Sequence, residues 1–357
     1  MKRIIVHCST NFGSSNFGDA IFANIILKKL LSRGFEVSFF QLSKPMFNYL
    51  YVFNNNKYYR FGIKRADLAL YFAGGYFGEP VKNLFRRRLI HYFRFFEFGR
   101  RVLKYRKKIA VVGIGGGPHL WRPSRKIVTK ICEEASIIAT RDIETTDFLN
   151  SLSPSTHIIT LSDIAQSQSI NDFVNTRDDP RIYGDFIFLH VNDSSSVANL
   201  FAKSIKPLLA SNPSLNVVVG SDCITNINST YSLVSDIIGE KKVFRFEYSE
   251  PDSLCHVLNQ AKLILTYKLH VGIFGAAFCK SVVAVYKNAK VKRYFKQINE
   301  LDRCRSMEES TQSELETLVQ KYFDKPITLS IDIFNMANMN WKIIDQFIGS
   351  IDDKQIK

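Results

Sequence analysis

The chain has 357 residues, of which 46% are hydrophobic and 23% are charged. This length exceeds the size at which one hydrophobic core usually keeps growing, so two domains are predicted, and the composition excludes a disordered or fibrous protein. The 48 Lys and Arg residues outnumber the 33 Asp and Glu residues, which gives a formal net charge of +15 and predicts an anionic partner.

Short apolar runs alternate with helical patterns along the first half of the chain, which is typical of βαβ units and a parallel sheet. The predicted strands are residues 3–8, 36–40, 68–72, 109–113, 137–140 and 157–160. The predicted helices are residues 20–32, 124–135 and 143–152, with a basic helical stretch before the fourth strand.

The basic helical stretch, residues 82–108, interleaves arginines and lysines with aromatic residues. This pattern fits either an amphipathic helix with a solvated basic face or a surface that contacts an anionic membrane. The stretch has no helix-turn-helix, RNP or zinc-finger motif beside it, so nucleic acid is not an expected partner.

A polar stretch at residues 166–179 lacks apolar periodicity and marks the predicted domain boundary. A second alternating series follows, with strands predicted at residues 186–190, 216–219, 242–246, 263–266 and 282–285. The helices predicted in this part are residues 195–210, 230–238, 253–260, 269–278, 314–323 and 333–348.

These elements predict an α/β fold with two doubly wound, Rossmann-like domains in a GT-B-like arrangement. The N-terminal domain is placed at residues 1–170, the C-terminal domain at 180–310 and a helical tail at 311–357. Ligands of such folds bind outside the carboxyl ends of the strands, so the crevice between the domains is the expected site.

The six cysteines are scattered without a CxxC pair, so no metal site is predicted and reduced thiols in a cytoplasm fit best. The start of the chain lacks a signal-peptide core, and the sequence has no apolar run long enough to span a bilayer. A cytoplasmic protein is therefore predicted, with peripheral attachment to the inner face of the membrane as an open alternative.

Three glycine-containing loops follow predicted strands, where backbone groups can approach an anionic ligand. In the first loop Gly18 permits close approach of the backbone to an anionic ligand. Asn16 and Asp19 either contact that ligand or cap the next helix. The second loop contains Gly75. The third loop resembles a phosphate-binding backbone nest, with a simple tight turn as the alternative, and contains Gly115, Gly116 and Gly117.

Three basic side chains sit at predicted strand ends, immediately before or within the start of a helix. Arg141 is placed to clamp a carboxylate or phosphate with two hydrogen bonds, the alternative being a salt-bridged surface arginine. Lys268 and His270 open the helix after the strand at residues 263–266, where anions are favoured and an imidazole can act as a general acid. A buried structural histidine is the alternative for His270.

Taken together, these segments resemble the polysaccharide pyruvyl transferase family over residues 4–286. The resemblance rests on the order of an NFGD loop, an AGG turn, a GIGGGP loop, an RD pair before a helix, the Ser162-Asp163 pair and a KLH segment. It implies transfer of pyruvate from phosphoenolpyruvate to two hydroxyls of a sugar in a surface polysaccharide or its precursor, forming a ketal. The implied acceptor is a sugar or lipid-linked saccharide, and no cofactor or metal is implied.

The resemblance also implies roles for individual residues. Arg141 matches the donor-binding arginine of the family, and His270 matches the histidine that follows its second basic residue. We expect His270 to protonate the vinyl methylene of the donor. Lys268 stands where the family usually has a second arginine, which leaves donor identity open because lysine offers only a point charge. Asp19 or Asp163 would assist as a base or only order the loops.

Two other functions fit the same sequence. A GT-B-type glycosyltransferase with a nucleotide-sugar donor would use a similar crevice, and Glu247 or Glu250 would then bind the ribose. A non-catalytic scaffold would keep the fold and use the basic helical stretch to dock on membrane-attached machinery.

Overall fold

The computed structural model describes residues 2–8, 16–53, 59–78, 85–117, 120–167, 184–287 and 289–350. These residues form two compact units: unit 1 comprises residues up to 14, 19–164 and from 332 onward, and unit 2 comprises residues 15–18 and 165–331. Some predicted features lie outside the described residues: 11–15 of the first loop, 82–84 of the basic stretch, Pro118, residues 168–179 of the polar stretch and the tail end from 351.

Unit 1 is built on a six-stranded sheet, whose strands are β1 (Arg3–His7), β2 (Glu36–Phe39), β3 (Leu68–Phe72), β4 (Lys108–Ile114), β5 (Ile137–Thr140) and β6 (Ile159–Thr160). Their order in the sheet is β2-β1-β3-β4-β5-β6, and all of the strand pairs are parallel. The central strands are almost continuously buried, as expected where helices cover both faces of a parallel sheet.

Helices alternate with these strands along the chain, as in other doubly wound sheets. They are α1 (Phe17–Ser32), α2 (Lys44–Phe53), α3 (Phe85–His91), α4 (Glu97–Lys104), α5 (Arg122–Glu134) and α6 (Ile143–Leu152). The helix α2 was not predicted from the sequence. Residues 17 and 18 at the start of α1 group with unit 2.

The basic stretch is helical, as predicted, and has a π-helical turn at Tyr92–Phe96 between α3 and α4. Its inner face buries Phe96, Phe98 and Val102 in the core of unit 1. Its outer face leaves Phe85 and Ile90 more than half exposed. The stretch therefore has an inner face that stabilises the fold and an outer face that combines apolar and basic side chains.

His7, the last residue of β1, is buried inside an aromatic cage beneath the basic stretch. Its ring stacks on Tyr71 and Tyr76 at centroid distances of 5.2 and 5.0 Å, and its Nε2 donates to the Arg94 carbonyl at 2.9 Å. Burial, with a smaller contribution from the Arg94 charge, lowers the pKa of His7 to about 4, although the hydrogen bond opposes this shift. His7 is thus held neutral in the folded protein.

We expect the free energy of unfolding to decrease as the pH falls from about 6.5 to about 4. In this window the unfolded state binds a proton at residue 7 and the folded state does not, so His7 contributes up to about 3 kcal/mol of pH dependence. Urea unfolding of wild type and His7→Asn at pH 7.5 and 5 measures this term. The exposed His157→Asn variant is the control, and an unchanged pH slope in His7→Asn would contradict the expectation.

Unit 2 is built on a second six-stranded sheet, whose strands are β7 (Phe186–His190), β8 (Asn216–Gly220), β9 (Val243–Arg245), β10 (Leu263–Thr266), β11 (Ser281–Tyr286) and β12 (Cys304–Ser306). All strand pairs are parallel, and the order in the sheet is β12-β11-β10-β7-β8-β9. The connection order reverses between β7 and β10, which are neighbours in the sheet, and this switch point is where doubly wound folds bind ligands.

Alternate residues of the unit 2 strands face opposite helical layers. The helices of this part are α7 (Ser195–Ser211), α8 (Asn228–Ile238), α9 (Pro251–Gln260), α10 (Leu269–Ala277), α11 (Ala289–Gln297) and α12 (Gln312–Tyr322). Leu265 and Val283 pack with α7, α8 and α12, whereas Ile264 and Val282 lie against Gly275 of α10. The helix α11 and the strand β12 were not predicted.

The last two helices belong to different units. The helix α12 packs its buried residues Leu315 and Val319 into the unit 2 core, and α13 (Ile331–Gly349) groups almost entirely with unit 1. The predicted tail at residues 311–357 is therefore divided at about residue 331, since an amphipathic pattern reveals a helix but not the sheet that it covers. In the described part of the chain, no helix has the length and apolarity needed to cross a membrane.

Candidate functional site

Arg141 follows β5 directly and is buried at the carboxyl edge of the unit 1 sheet, with 6% of its surface exposed. Its Nη1 donates to Oδ2 of Asp163 at 3.2 Å, and its Nε lies 3.8 Å from Oδ2 of Asp142. Asp163 follows β6 by three residues and is itself buried. The interpretation of Arg141 as a surface salt bridge is therefore wrong, because the guanidinium is held inside the unit by two carboxylates.

Two of the predicted glycines make room for this guanidinium. A Cβ at Gly115 would lie 2.6 Å from Nε of Arg141, and a Cβ at Gly75 would lie 3.0 Å from its Nη2. Ala73, at the start of the same loop as Gly75, has a left-handed backbone with φ of 49°, which a non-glycine residue adopts at a cost. The loops after β3 and β4 are thus shaped to admit the arginine head group.

The amides of the third glycine loop are used within unit 1. The backbone N–H groups of residues 115 and 117 donate to the carbonyls of Gly74 and Phe77 at 2.8 and 3.4 Å. The N–H of Gly116 donates to Oγ1 of Thr145 at 2.7 Å. The predicted phosphate nest at Gly115, Gly116 and Gly117 is not formed here, because its donors join two loops and a helix to each other.

Asp142 begins α6 and connects the arginine to that helix. Its Oδ1 accepts hydrogen bonds from the N–H and Oγ1 of Thr145 at 2.8 and 2.6 Å, which caps the helix. Thr145 in turn receives the Gly116 amide. Arg141 therefore stands in a network whose members lie on β5, α6 and the loop after β4, and this network limits its motion.

Unit 2 carries Lys268 and His270 at the start of α10. Lys268 is the N-cap residue, with its N–H donating to Oγ1 of Thr266 at 3.0 Å, and His270 is the second helical residue. Both therefore lie at the positive end of the helix dipole, where an anion is favoured. The Lys268 ammonium lies 5.7 Å from the centroid of the Tyr267 ring. His270 is half-buried.

Gly18 packs directly against His270 within unit 2. A Cβ at residue 18 would fall on the imidazole, far inside van der Waals distance of its Nδ1. The neighbouring Phe17 donates its N–H to the Asp222 carbonyl at 3.2 Å and contacts Phe274 of α10 at a ring distance of 4.8 Å. The space that the sequence assigns to a ligand at Gly18 is thus taken up by His270.

A buried polar cluster that the sequence analysis missed lies beside Lys268. Oδ1 of Asp222 accepts from Nδ2 of Asn192 at 2.9 Å and lies 3.2 Å from Nε2 of His190. Burial alone would raise the pKa of Asp222, but His190, Lys268 and Asn192 together bring it well below its usual range. Asp222 is therefore held as a negative charge by His190 and Asn192, and its charge and that of the Lys268 ammonium attract each other.

A signal for this cluster is present in the sequence. Asn192 and Asp222 each follow a buried apolar strand by two residues, and carboxyl ends of parallel strands meet at one edge of a sheet.

The two glutamates that the glycosyltransferase alternative assigns to the ribose lie outside this cluster. The Glu247 side chain is 69% exposed and pairs with Arg245 at 3.1 Å, and Glu250 is the N-cap residue of α9.

Comparison with protein families gives a match over residues 16–287 to the family described as polysaccharide pyruvyl transferase. The match spans well over half of the chain and both loops that hold the basic residues. The chain belongs to the polysaccharide pyruvyl transferase family. This pyruvyl transferase family member is accordingly a transferase, and the predicted family is confirmed. No curated protein matches the chain.

Solved structures with the same fold are distant in sequence. A UDP-GlcNAc 2-epimerase from Neisseria meningitidis bound to UDP-GlcNAc has a TM-score of 0.64 and 13% identity, covering 98% of this chain and 100% of the other. The UDP-GlcNAc 2-epimerase from Methanocaldococcus jannaschii has a TM-score of 0.62 and 10% identity, covering 97% and 100%. HepE from Anabaena in complex with UDP-glucose has a TM-score of 0.57 and 11% identity, covering 99% and 100%.

At these identities the likeness concerns the fold alone. The predicted GT-B-like fold class, with two parallel doubly wound sheets, is confirmed. Within unit 1 the structure of the pyruvyl transferase family member brings Gly75, Gly115 and Arg141 together. Within unit 2 it brings Gly18 and His270 together. Asn16 directly precedes α1, and Asp19 lies buried in the first turn of that helix.

Proposed function

We propose that the protein transfers pyruvate from phosphoenolpyruvate to a sugar of a cell-surface polysaccharide or its precursor and forms a ketal. The observation that carries this proposal is the buried Arg141 guanidinium, which is cleared by two glycines and fixed by Asp163 in a chain of the pyruvyl transferase family. A planar guanidinium suits the carboxylate and phosphate groups that phosphoenolpyruvate carries.

In the proposed reaction Arg141 and Lys268 hold the phosphate and carboxylate of the donor. His270 gives a proton to the methylene carbon of the enol, which becomes the methyl group, and a positive charge develops at the carbon that bears the phosphate. The first sugar hydroxyl adds to this carbon and loses its proton to a base, for which Asp19 is the candidate. The second hydroxyl displaces the phosphate, which leaves with that proton, and solvent restores the protonation of the two side chains.

This reaction needs no metal or redox cofactor, since the enol phosphate supplies both the electrophilic carbon and the leaving group. The proposed donor is therefore phosphoenolpyruvate alone. The proposed acceptor is a saccharide with two hydroxyls close enough to join one carbon.

A thermal-shift titration with phosphoenolpyruvate and, separately, with a panel of nucleotide sugars tests the donor. A ligand that binds only the folded state adds about 2.7 kcal/mol to the free energy of unfolding when its concentration is one hundred times its Kd. This added stability raises the melting temperature. Stabilisation by phosphoenolpyruvate supports pyruvyl transfer. Stabilisation by a nucleotide sugar and not by phosphoenolpyruvate would instead favour the glycosyltransferase alternative.

We further propose that the outer face of the basic stretch attaches the protein to the anionic inner face of the membrane that carries the acceptor. Phe85, Ile90 and Phe93 are 65%, 55% and 56% exposed, and arginines lie between them along the chain. Exposed apolar side chains flanked by cations are typical of interfacial helices. A groove with a cavity volume of about 840 Å³ lies along α5 and is lined chiefly by Arg122, Arg125, Lys126 and Lys130.

We expect the protein to sediment with vesicles of phosphatidylglycerol and phosphatidylcholine in equal parts, and binding to fall as salt increases. Replacing Arg86, Arg87 and Arg88 with glutamine removes about 1 kcal/mol of attraction for each charge, so the affinity falls by about 100-fold. The matched control replaces the exposed Lys203, Lys206 and Lys241 of unit 2 with glutamine. Equal loss in both triple variants, or no binding by wild type at low salt, would exclude this attachment.

A further inference from the structure

The segments that follow β3, β4 and β6 surround Arg141, and residues of α13 lie against all three. This helix lies beyond the residues matched by the family. Asn340 of α13 is fully buried, and its Nδ2 donates to the Ser162 carbonyl at 3.1 Å. Its Oδ1 lies 3.6 Å from the position of a Cβ on Gly113, which has a left-handed backbone with φ of 70°. One side chain therefore bonds to the segment after β6 and lies close to the end of β4.

The residue after Asn340 contacts the end of β3, which leads into the second glycine loop. The Trp341 ring lies 5.8 Å from the ring of Phe72, the last residue of β3. The helix is fixed in this position by Asp345, whose carboxylate pairs with Lys29 at 3.0 Å and with Arg33 at 3.2 Å. Asn340 and Trp341, which are consecutive in α13, thus lie against the ends of β3 and β4 and the segment after β6.

The contact with Ser162 is one residue from the partner of the arginine. Asp163 follows Ser162 in the chain, and its Oδ2 accepts the hydrogen bond from Nη1 of Arg141 at 3.2 Å. Without the Asn340 amide, the Ser162 carbonyl would lose a hydrogen-bond donor, and the loss of a donor costs a buried acceptor about 1 to 3 kcal/mol. A shift of the segment toward another donor would reduce this cost. Such a movement would carry Asp163 and change the orientation of the guanidinium.

From these contacts we infer that Asn340 is a positioning residue for the donor-binding arginine. It acts through Ser162 and Asp163, and it makes the C-terminal helix part of the machinery that holds an anionic donor. This role rests on the proposed function, because the donor that Arg141 holds is taken to be phosphoenolpyruvate.

The test measures phosphoenolpyruvate binding by isothermal titration calorimetry in a double-mutant cycle. Asn340→Leu is expected to weaken binding by about tenfold, since one hydrogen bond that orients a charged group is lost. In an Arg141→Ala background the same substitution is expected to cause no further loss, because both changes act on one group. Asn335→Leu, an exposed asparagine on the same helix, is the matched control and should bind as wild type.

Additive losses across the cycle would overturn the inference, since a merely structural residue weakens binding whether or not the arginine is present. Wild-type affinity in a folded Asn340→Leu protein would overturn it as well. If the leucine variant does not fold, Asn340→Ser serves instead, because its hydroxyl is too short to restore the bond to Ser162. Failure of the wild type to bind phosphoenolpyruvate would count against the proposed function itself, whereas binding that needs Arg141 but not Asn340 would count only against this role.

Discussion

Arg141→Ala is expected to abolish measurable stabilisation by phosphoenolpyruvate and to weaken its binding by about 100-fold or more. Two hydrogen bonds between a guanidinium and an anion would be lost, and hydrogen bonds to charged groups contribute about 1.5 to 3 kcal/mol each. Arg141→Lys keeps the charge without the planar fork and should lie between the two, at about tenfold. Isothermal titration calorimetry measures all three affinities.

The structure dictates the controls for this prediction. Alanine at residue 141 removes the hydrogen bond and opposite charge that Arg141 gives the buried Asp163 carboxylate, and loss of one partner of a buried ion pair destabilises a protein by about 3 to 5 kcal/mol. The Arg141→Ala, Asp163→Asn double variant removes the carboxylate charge, so it should recover stability without recovering binding. Arg125→Ala, an exposed arginine of α5, is the matched control. Donor binding of wild-type strength in the double variant would refute the role of Arg141.

His270→Gln is expected to lower turnover by about 10²- to 10⁴-fold while changing the affinity for phosphoenolpyruvate only slightly. The imidazole is proposed to donate the proton to the methylene carbon, and glutamine occupies similar space without an acidic proton. Phosphate release from phosphoenolpyruvate in the presence of a saccharide panel measures turnover, and calorimetry measures binding. A variant that binds poorly but turns over normally would reverse the assignment.

Gly18→Ala tests the role of the His270 side chain without replacing it. Because its Cβ would fall on the imidazole, the ring of His270 has to move, and turnover should decrease although the histidine is still present. Helix propensity alone favours alanine over glycine at a helical position, so lost stability through propensity is not expected. Gly62→Ala, where a Cβ meets nothing within 4 Å, is the control. Normal turnover in Gly18→Ala would show that the position of His270 is unimportant.

Most of the secondary structure could be predicted because it follows from local patterns. The strands β3, β5, β7 and β10 lie at the predicted residues, since buried parallel strands are short apolar runs between polar turns. The strand β12 could not be found in this way, because its sequence Cys-Arg-Ser has no apolar alternation and its pairing comes from β11. The helix α11 does carry a readable pattern in its buried residues Val291, Tyr294 and Phe295.

The site was only partly predictable from sequence. Arg141, Lys268 and His270 stand out because each is a basic residue between an apolar strand and a helix. The functions of the glycines did not follow in the same way: Gly18, Gly75 and Gly115 make room for side chains that are 26 or more residues away in the chain, and composition does not reveal such neighbours.

By itself the sequence determined the alternation of strands and helices, the family, and the basic residues at strand ends, because these depend on local periodicity and on ordered motifs. Only the tertiary structure decided what each of these residues contacts. The order of strands in the two sheets makes the Asp163 carboxylate a hydrogen-bond partner of Arg141 and brings Asp222 within electrostatic reach of Lys268, and Asn340 meets Ser162 because α13 groups with unit 1. These are interactions between residues far apart in the chain, which strand order and helix packing create and which no local pattern encodes.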